Sequence, residues 1–322
     1  MSPLQDVQIR ARTEFPDDEL VRTVSADGSI AVRAVVARNL VAEAATRRPL
    51  APTALNALGR VLVGAVLLGT GNQNGERVQI QLRGDGPLGS LFAICDSEGR
   101  VRGTVRNPGV DLPLAGGHPD VARAIGLGVL SVVRTHPSWR EPYVGTVPLV
   151  SGEVARDLTL YLTESEQTPS AVALGVALGA DGIVSEAGGF LVSPLPGAPE
   201  DAIARMERNV LCLPAVSLLL REGVRADGLV DLLMAGFGTS ERTRIRPAFH
   251  CPCTRERALR TLALLGEAEL QEILDDGVPQ EVGCEFCGRT YDLSLEEVAA
   301  LLRESAGAPG DGGPTDRTSP KF

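Results

Sequence analysis

Residues 250–257 read HCPCTRER, and after a segment with helical patterning residues 283–289 read GCEFCGR. The first stretch contains a C-x-C pair and the second a C-x-x-C pair flanked by glycines; the four cysteines are Cys251, Cys253, Cys284 and Cys287. Structural zinc sites favour four sulfur ligands in a tetrahedron, and each close pair can supply two of them from one turn. The sequence therefore predicts a small C-terminal domain built around one Zn²⁺ per chain.

The C-x-C pair departs from an ordinary zinc ribbon, in which both pairs are usually C-x-x-C. Thiols one residue apart can close only a small, strained disulfide ring, and such disulfides are readily reduced again. Arg255, Arg257 and Arg289 lie beside the pairs, and positive charge favours the thiolate. Metal binding contributes roughly 10–16 kcal/mol to the folding of zinc-finger peptides, so thiol oxidation would expel zinc and unfold such a domain. We therefore hypothesise a redox switch, with a purely structural zinc site as the alternative.

Other candidate ligands fit less well. His250 is adjacent to Cys251, which makes coordination of one ion by both residues awkward. Cys95 and Cys212 lie in apolar stretches and are predicted to be inert core residues. A zinc hydrolase is disfavoured because a shell of four thiolates leaves no open position for water. The four paired cysteines are therefore the predicted metal ligands.

Composition limits the classes of function. The chain has 322 residues, which favours two domains, and its net charge of −10 disfavours tracking a phosphate backbone, so we expect no nucleic-acid partner. No N-terminal segment combines basic residues with an apolar run, and the most apolar stretch, residues 54–69, contains Arg60. Metal-bound, reduced cysteines without a signal peptide favour the cytoplasm. The sequence therefore predicts a cytoplasmic protein with no membrane partner.

The first half of the chain shows mainly strand patterns. Alternating residues predict strands around an Asp27-Gly28 turn, and the nearly all-round apolar stretch 51–69 predicts a buried helix. A period-two strand at 78–82 ends in Gly-Asp-Gly-Pro at 84–87, which lacks the lysine and the following helix of a phosphate loop and is predicted to be a tight turn. A hairpin follows around residues 97–99.

Mixed patterns follow. Strands are predicted at 125–133 and 143–150, then a helix from Ser151 and a final strand near 187–192. For 171–179 a helix capped by Thr168, with Pro169 at its first position, is one interpretation, but the short run broken by Gly175 and Gly179 favours a strand. Ser165 and Glu166 do not form a catalytic pair by sequence, because no histidine or lysine is placed to activate the serine.

The last third changes character after Pro196. A long amphipathic helix is predicted over 200–222 with a kink at Pro214, followed by a short apolar helix. Between the cysteine pairs two helices are expected, the first capped by Thr254, and a return strand follows the second pair. A capping box at Ser294–Glu297 opens a helix to about residue 304, whereas residues 1–20 and 305–322 are predicted to be a loose arm and a disordered tail.

These features resemble the bacterial thirty-three-kilodalton redox-regulated heat-shock chaperone family, from about residue 20 to residue 303. The resemblance rests first on C-x-C-T-R-E-R at 251–257 and G-C-E-F-C-G at 283–288. Weaker motifs support it in combination: Q-x-x-G-x-G-P-L at 81–88, Y-x-G-x-V at 143–147, Y-x-x-x-S-E-Q-x-P-S at 161–170 and A-G-G at 187–189.

The resemblance implies an α+β fold with three parts. Residues 1–195 would form an N-terminal antiparallel-sheet domain with helices, which binds clients and dimerises. Residues 196–250 would form a helical, metastable linker, and residues 251–304 a small zinc-binding redox-switch domain. The extended N-terminus, the glycine-rich tail at 305–322 and the few aromatic residues depart from the family pattern. The family's zinc ligands match all four paired cysteines of this chain.

The resemblance also implies a holdase chaperone rather than an enzyme. Family members are inactive when reduced and zinc-bound. Oxidation forms disulfides within the pairs, here Cys251–Cys253 and Cys284–Cys287, releases zinc and unfolds the linker. The active form is a homodimer that holds unfolding client proteins through exposed apolar surface. This agrees with the switch inferred from the cysteine pairs.

Two other classes compete. A zinc-ribbon module would bind a partner through its metal-dependent fold without redox switching. A thiol–disulfide oxidoreductase would place its C-x-x-C after a strand, at a helix N-terminus, whereas this motif lies in a glycine-flanked knuckle.

Overall fold

The computed structural model describes residues 17–71 and 74–307. The chain separates into two compact units, the first ending at Cys251 and the second beginning at Pro252. Helices and antiparallel sheets occur together, which confirms the predicted α+β class. Residues 1–16 of the predicted arm and residues 308–322 of the predicted tail lie outside the described residues.

The first unit contains most of the regular structure. Its strands are β1 (Glu19–Val24), β2 (Ile30–Val36), β3 (Arg77–Gly84), β4 (Ser90–Asp96), β5 (Arg100–Val105), β6 (Gly128–Thr135), β7 (Tyr143–Leu149), β8 (Ala171–Leu178), β9 (Val184–Pro194), β10 (Thr243–Ile245) and β11 (Ala248–Phe249). Its helices are α1 (Arg38–Arg47), α2 (Pro52–Gly69), α3 (Val121–Ile125), α4 (Val154–Glu164), α5 (Glu200–Leu211), α6 (Val216–Arg221) and α7 (Ala226–Leu233).

These strands form two sheets. The first has the order β10-β1-β2-β9-β8, and all its neighbours are antiparallel. The second has the order β11-β5-β4-β3-β6-β7, and only its β11–β5 pair is parallel. The period-two pattern predicted at 78–82 is confirmed in β3, where Val78, Ile80 and Leu82 are buried. The strand predicted at 171–179 is confirmed as β8.

Helix α2 joins the two sheets into one core. It begins at Pro52, where a missing N–H costs no hydrogen bond, and contacts β3–β5 of one sheet and β8–β9 of the other. Neighbours on both sides explain its all-round apolar sequence. A side chain at Gly64 would place Cβ 2.8 Å from Leu158, so glycine permits the close approach of α4. Within the described ranges α2 is the one helix long and apolar enough to span a membrane, and 89% of it is buried inside the fold.

The Gly-Asp-Gly-Pro segment is confirmed as a turn. Asp85 N–H donates to the Leu127 carbonyl at 2.8 Å, and Gly86 N–H donates to the Ile125 carbonyl at 3.0 Å. A Cβ at Gly84 would lie 1.8 Å from the same Ile125 oxygen. The glycines are needed because the turn packs directly on α3. The amides of Asp85 and Gly86 donate to protein carbonyls and are therefore not available to bind a phosphate.

The prediction of one kinked helix over residues 200–222 is wrong. The chain forms two helices, α5 and α6, separated at residues 212–215. Pro214 lacks an N–H and disfavours helical geometry at the preceding residue, so it breaks the helix rather than bending it. The break leaves Leu211 exposed over 82% of its surface and exposes Cys212. The prediction of a core position is therefore wrong for Cys212, whereas Cys95 is fully buried.

Helices α5–α7 cover one face of the first sheet. Met206 from α5, Leu219 and Leu220 from α6, and Leu229 from α7 share a buried cluster with residues of that sheet. The sheet contributes mainly β2 and β9, namely Ile30, Val32, Ala34, Val36, Phe190 and Val192. Leu219, Leu220, Leu229 and Leu233 therefore pack on their neighbours as predicted, whereas Leu211, Leu218 and Leu232 are exposed.

A buried charged network explains part of the Y-x-x-x-S-E-Q motif. Tyr161 is fully buried, and its hydroxyl donates to Glu166 at 2.8 Å. Arg134 Nε donates to the same carboxylate at 2.8 Å, and its NH1 group donates to Glu76 at 3.0 Å. Burial and the Glu166 carboxylate raise the pKa of Tyr161. Glu166 therefore ties α4 to β6, which leaves no reason to assign it a catalytic role.

Replacing Arg134 by methionine should destabilise the first unit by about 3–5 kcal/mol, because Glu76 and Glu166 would lose their buried countercharge. Urea unfolding followed by the fluorescence of Trp139, the single tryptophan, measures the change. The exposed Arg140→Met variant is the matched control and should unfold as the parent does. Equal midpoints for the two variants would contradict the structural role of the network.

Candidate metal centre

The second unit has its own elements and its own core. These are α8 (Arg255–Leu262), α9 (Glu267–Asp276), β12 (Gln280–Gly283), β13 (Thr290–Leu293) and α10 (Leu295–Gly307). The two helices and the return strand predicted in this region are confirmed. Four buried residues form the centre of the core: Leu262, Leu270, Leu293 and Val298. The helix predicted to end near residue 304 continues to Gly307, three residues into the predicted tail.

Side-chain caps fix where two of these helices begin. Thr254 Oγ1 accepts a hydrogen bond from Arg257 N–H at 3.3 Å, which confirms it as the cap of α8. Glu297 accepts from Ser294 N–H at 2.8 Å while Ser294 Oγ accepts from Glu297 N–H at 3.3 Å, so the predicted capping box is also confirmed. The α8 cap follows Cys253 directly and therefore sets the direction in which the chain leaves the first cysteine pair.

The second cysteine pair lies in the turn between β12 and β13. Cys284 N–H donates to the Arg289 carbonyl at 2.9 Å, and Gly288 N–H donates to the Cys284 carbonyl at 2.8 Å. Gly288 adopts a φ of +68°, which favours glycine. These two bonds fold the turn back on itself, so that Cys284 and Cys287 come from one tight knuckle.

The structure brings all four predicted ligands together. The sulfur atoms of Cys251, Cys253, Cys284 and Cys287 all lie within 4.8 Å of one another. Cys253 Sγ and Cys287 Sγ are 3.3 Å apart. Zinc–sulfur bonds of about 2.3 Å in a tetrahedron place neighbouring sulfurs roughly 3.8 Å apart, so this cluster has the size and the donor atoms of a four-thiolate metal site.

Polar groups of β13 and the knuckle surround the cluster. Tyr291 hydroxyl donates to Cys253 Sγ at 3.3 Å. This hydrogen bond raises the pKa of Tyr291, and the pKa of Arg289 is raised by its bond to Tyr291 and by the nearby Cys253 and Cys287. Arg289 is therefore placed as the sequence suggested, beside the sulfurs.

Two other neighbours of the cysteines have different roles. Arg255, which was expected to favour thiolate, instead binds both carboxylate oxygens of Glu297, at 2.8 and 2.7 Å, and links α8 to α10. His250 belongs to no metal-binding cluster among the described residues, and its N–H donates to the Val101 carbonyl at 2.8 Å. The structure thus gives these two residues structural contacts.

Comparison with known proteins decides the family. The model of the Hsp33 protein family matches residues 18–294. This chain belongs to the Hsp33 family. A 33 kDa chaperonin from Geobacter sulfurreducens is 42% identical over 284 residues, which cover 88% of this chain and 94% of the relative. One from Thermus thermophilus is 42% identical over 298 residues, covering 88% and 86%.

A solved structure agrees with this assignment. The crystal structure of the 33 kDa chaperonin (heat shock protein 33 homolog) from Thermotoga maritima is 36% identical and matches with a TM-score of 0.84. The match covers 91% of this chain and all of that one. Membership of the Hsp33 family supports a chaperone function for this chain, and a chaperone binds client proteins. The four close cysteines suit both zinc binding and formation of redox-active disulfides.

The Tyr291→Phe variant should hold a metal ion about tenfold more weakly, because groups that hydrogen-bond to a ligand typically contribute 10–100-fold to metal affinity. Competition with a chromogenic chelator measures the affinity of the full chain. Tyr143→Phe, which removes an exposed hydroxyl from β7, is the matched control. An unchanged affinity for Tyr291→Phe would show that the tyrosine does not support the cluster.

Proposed function

We propose that this chain is a redox-regulated holdase whose reduced form is inactive and holds one Zn²⁺. The four ligands are Cys251, Cys253, Cys284 and Cys287. The observation that carries the proposal is the meeting of a C-x-C pair and a C-x-x-C pair, all four sulfurs within 4.8 Å, in a chain of a chaperone family. Bound zinc would keep the four sulfurs as thiolates at neutral pH.

Oxidation would join the sulfurs within each pair, giving Cys251–Cys253 and Cys284–Cys287. Each pair loses two electrons as one S–S bond forms, while one peroxide molecule and two protons become two molecules of water. Disulfide sulfur no longer carries thiolate charge, so the cluster loses its metal. The second unit has a small apolar core, and the loss of metal–ligand bonds would remove much of its stability.

Unfolding would then spread to the segment that precedes Cys251. We assign residues 196–250 as the metastable linker and residues 1–195 and 251–304 as the client-binding and switch domains. Release of α5–α7 would uncover the apolar face formed by β2 and β9, where Val32, Phe190 and Val192 are now buried. A continuous apolar surface of this kind binds unfolding proteins and prevents their aggregation.

The remaining assignments follow from the same mechanism. The oxidised form would be a homodimer in the cytoplasm, and it would act by binding rather than by catalysis. The net charge of −10 supports protein clients rather than nucleic acid, and we assign no membrane partner.

Treating the reduced, zinc-loaded chain with hypochlorite or warm peroxide should release one zinc per chain and suppress aggregation of a thermally unfolding test protein. A metallochromic dye and light scattering follow the two events together, and dithiothreitol should reverse the activity. Zinc that stays bound, or leaves without any holdase activity, would contradict the switch. Metal-dependent partner binding without switching would then be the better account.

Single cysteine variants locate the switch. Cys253→Ser should fail to retain zinc when reduced, because three thiolates bind less tightly than four. Cys212→Ser is the matched control, since Cys212 is exposed and lies outside the cluster. It should retain one zinc and the full response to oxidant. Zinc loss from the control would mean that the metal is bound elsewhere.

A further inference from the structure

Residues 238–250 occupy an edge of both sheets of the first unit. Within this segment β10 extends the first sheet beyond β1, and β11 extends the second sheet beyond β5. Both are terminal strands in their sheets. If the segment were removed, β1 and β5 would become the outermost strands, with backbone N–H and C=O groups open to another chain.

The β1 edge is held by backbone hydrogen bonds. Ala26 N–H donates to the Gly238 carbonyl at 2.7 Å, and Ser240 N–H donates to the Val24 carbonyl at 2.8 Å. Further along, after a shift of one residue in the register, Arg22 lies opposite Thr243. The backbone N–H and C=O groups of successive residues in a strand point to opposite sides. In β1, every second residue therefore bonds to this segment and the residues between them bond to β2.

The β5 edge is held in the same way. Ala248 N–H donates to the Gly99 carbonyl at 3.1 Å, and His250 N–H donates to the Val101 carbonyl at 2.8 Å. Phe249 lies between these two donors, so its own N–H points away from β5. Pairing with β5 therefore uses the backbone groups of alternate residues and does not depend on the identity of their side chains.

Side chains add a simple preference. Phe249 is buried and stands opposite Val101, whereas Ala248 is exposed. An occupant of this edge thus needs an extended backbone and an apolar side chain at the position of Phe249. Unfolding proteins present many such segments, because strands of sandwich and sheet proteins alternate between apolar and polar residues.

Apart from these ladders, the segment is anchored mainly by charged side chains. Arg242 and Arg244 bind Asp227 of α7 at 2.8 and 2.7 Å, and α7 belongs to the same proposed linker, so these ion pairs do not hold the segment to the sheets. Strand β10 pairs three residues and β11 pairs two, and salt bridges such as Arg244–Glu19 at 3.0 Å are half-exposed. Only His250 separates β11 from Cys251, the first predicted zinc ligand. Loss of the metal cluster would therefore free the C-terminal end of the segment directly.

We propose that β10 and β11 are internal placeholders, and that their release lets extended segments of unfolding clients add as new strands to β1 and β5. This rests on the proposed redox-regulated holdase and specifies how it grips a client: through backbone hydrogen bonds at two sheet edges, beside the uncovered apolar face. Pairing through the backbone gives affinity for clients of unrelated sequence.

The test uses the full chain and a synthetic peptide of residues 238–250, labelled for fluorescence anisotropy. The peptide should bind the oxidised chain and not the reduced, zinc-loaded chain, in which the edges are occupied. Methylation of the backbone nitrogen of Ala248, whose N–H meets β5, should weaken binding about tenfold. Methylation at Phe249, whose N–H points away, is the matched control and should leave binding nearly unchanged.

A competition experiment tests whether the peptide and the client bind the same edges of the oxidised chain. Excess unmodified peptide should restore aggregation of the test protein in light scattering, and the Ala248-methylated peptide should not. Equal binding of the two methylated peptides, or no competition while holdase activity persists, overturns the edge mechanism and leaves the holdase intact. Dissociation of an oxidised dimer by the peptide without loss of client capture would assign the edges to a second copy of the chain and overturn it as well. Absence of holdase activity would instead overturn the proposed function itself.

Discussion

The close approach of four sulfur atoms is the constraint on which the second unit depends. Four thiolates within 4.8 Å of one another repel strongly in a partly buried site unless a cation lies among them. The apolar core of this unit is small, with Leu270 and Leu293 at its centre, so a metal ion bound by the four sulfurs would supply much of its stability. The same closeness puts each sulfur within reach of another, so the cluster also suits disulfide formation.

The first unit is built in the opposite way. Helix α2 lies against both sheets and is buried almost all round, so apolar packing between this helix and the sheets holds the unit together. The segment from Pro196 to Cys251 is less regularly packed than the rest of the first unit. Helices α5–α7 pack on the first sheet, but helical structure is interrupted at Pro214 and the last strands are very short. Under the proposed function, this segment would unfold while the rest of the first unit stays folded.

The edges of the two sheets, at β1 and β5, are covered by part of this segment. An uncovered edge strand is a template for pairing with any extended chain, and proteins normally cover such edges. Here the cover is a short segment of the same chain, joined to the first predicted zinc ligand through His250. Backbone pairing places few demands on side chains, which suits a chain with only 3% aromatic residues. The proposed holdase would therefore store its binding surface in folded form rather than build it on activation.

Local sequence patterns were enough to predict the period-two strand β3, the all-round apolar α2, the Thr254 cap, the capping box at Ser294 and the two cysteine pairs. Each can be read from residue types only a few positions apart in the chain. Other features depend on contacts between distant parts of the chain. Strands of two or three residues, such as β11, show no period and form only because a distant strand offers partners. Likewise, Glu166 binds Arg134 from 32 residues away, a contact that depends on how α4 packs against β6 and not on any local pattern.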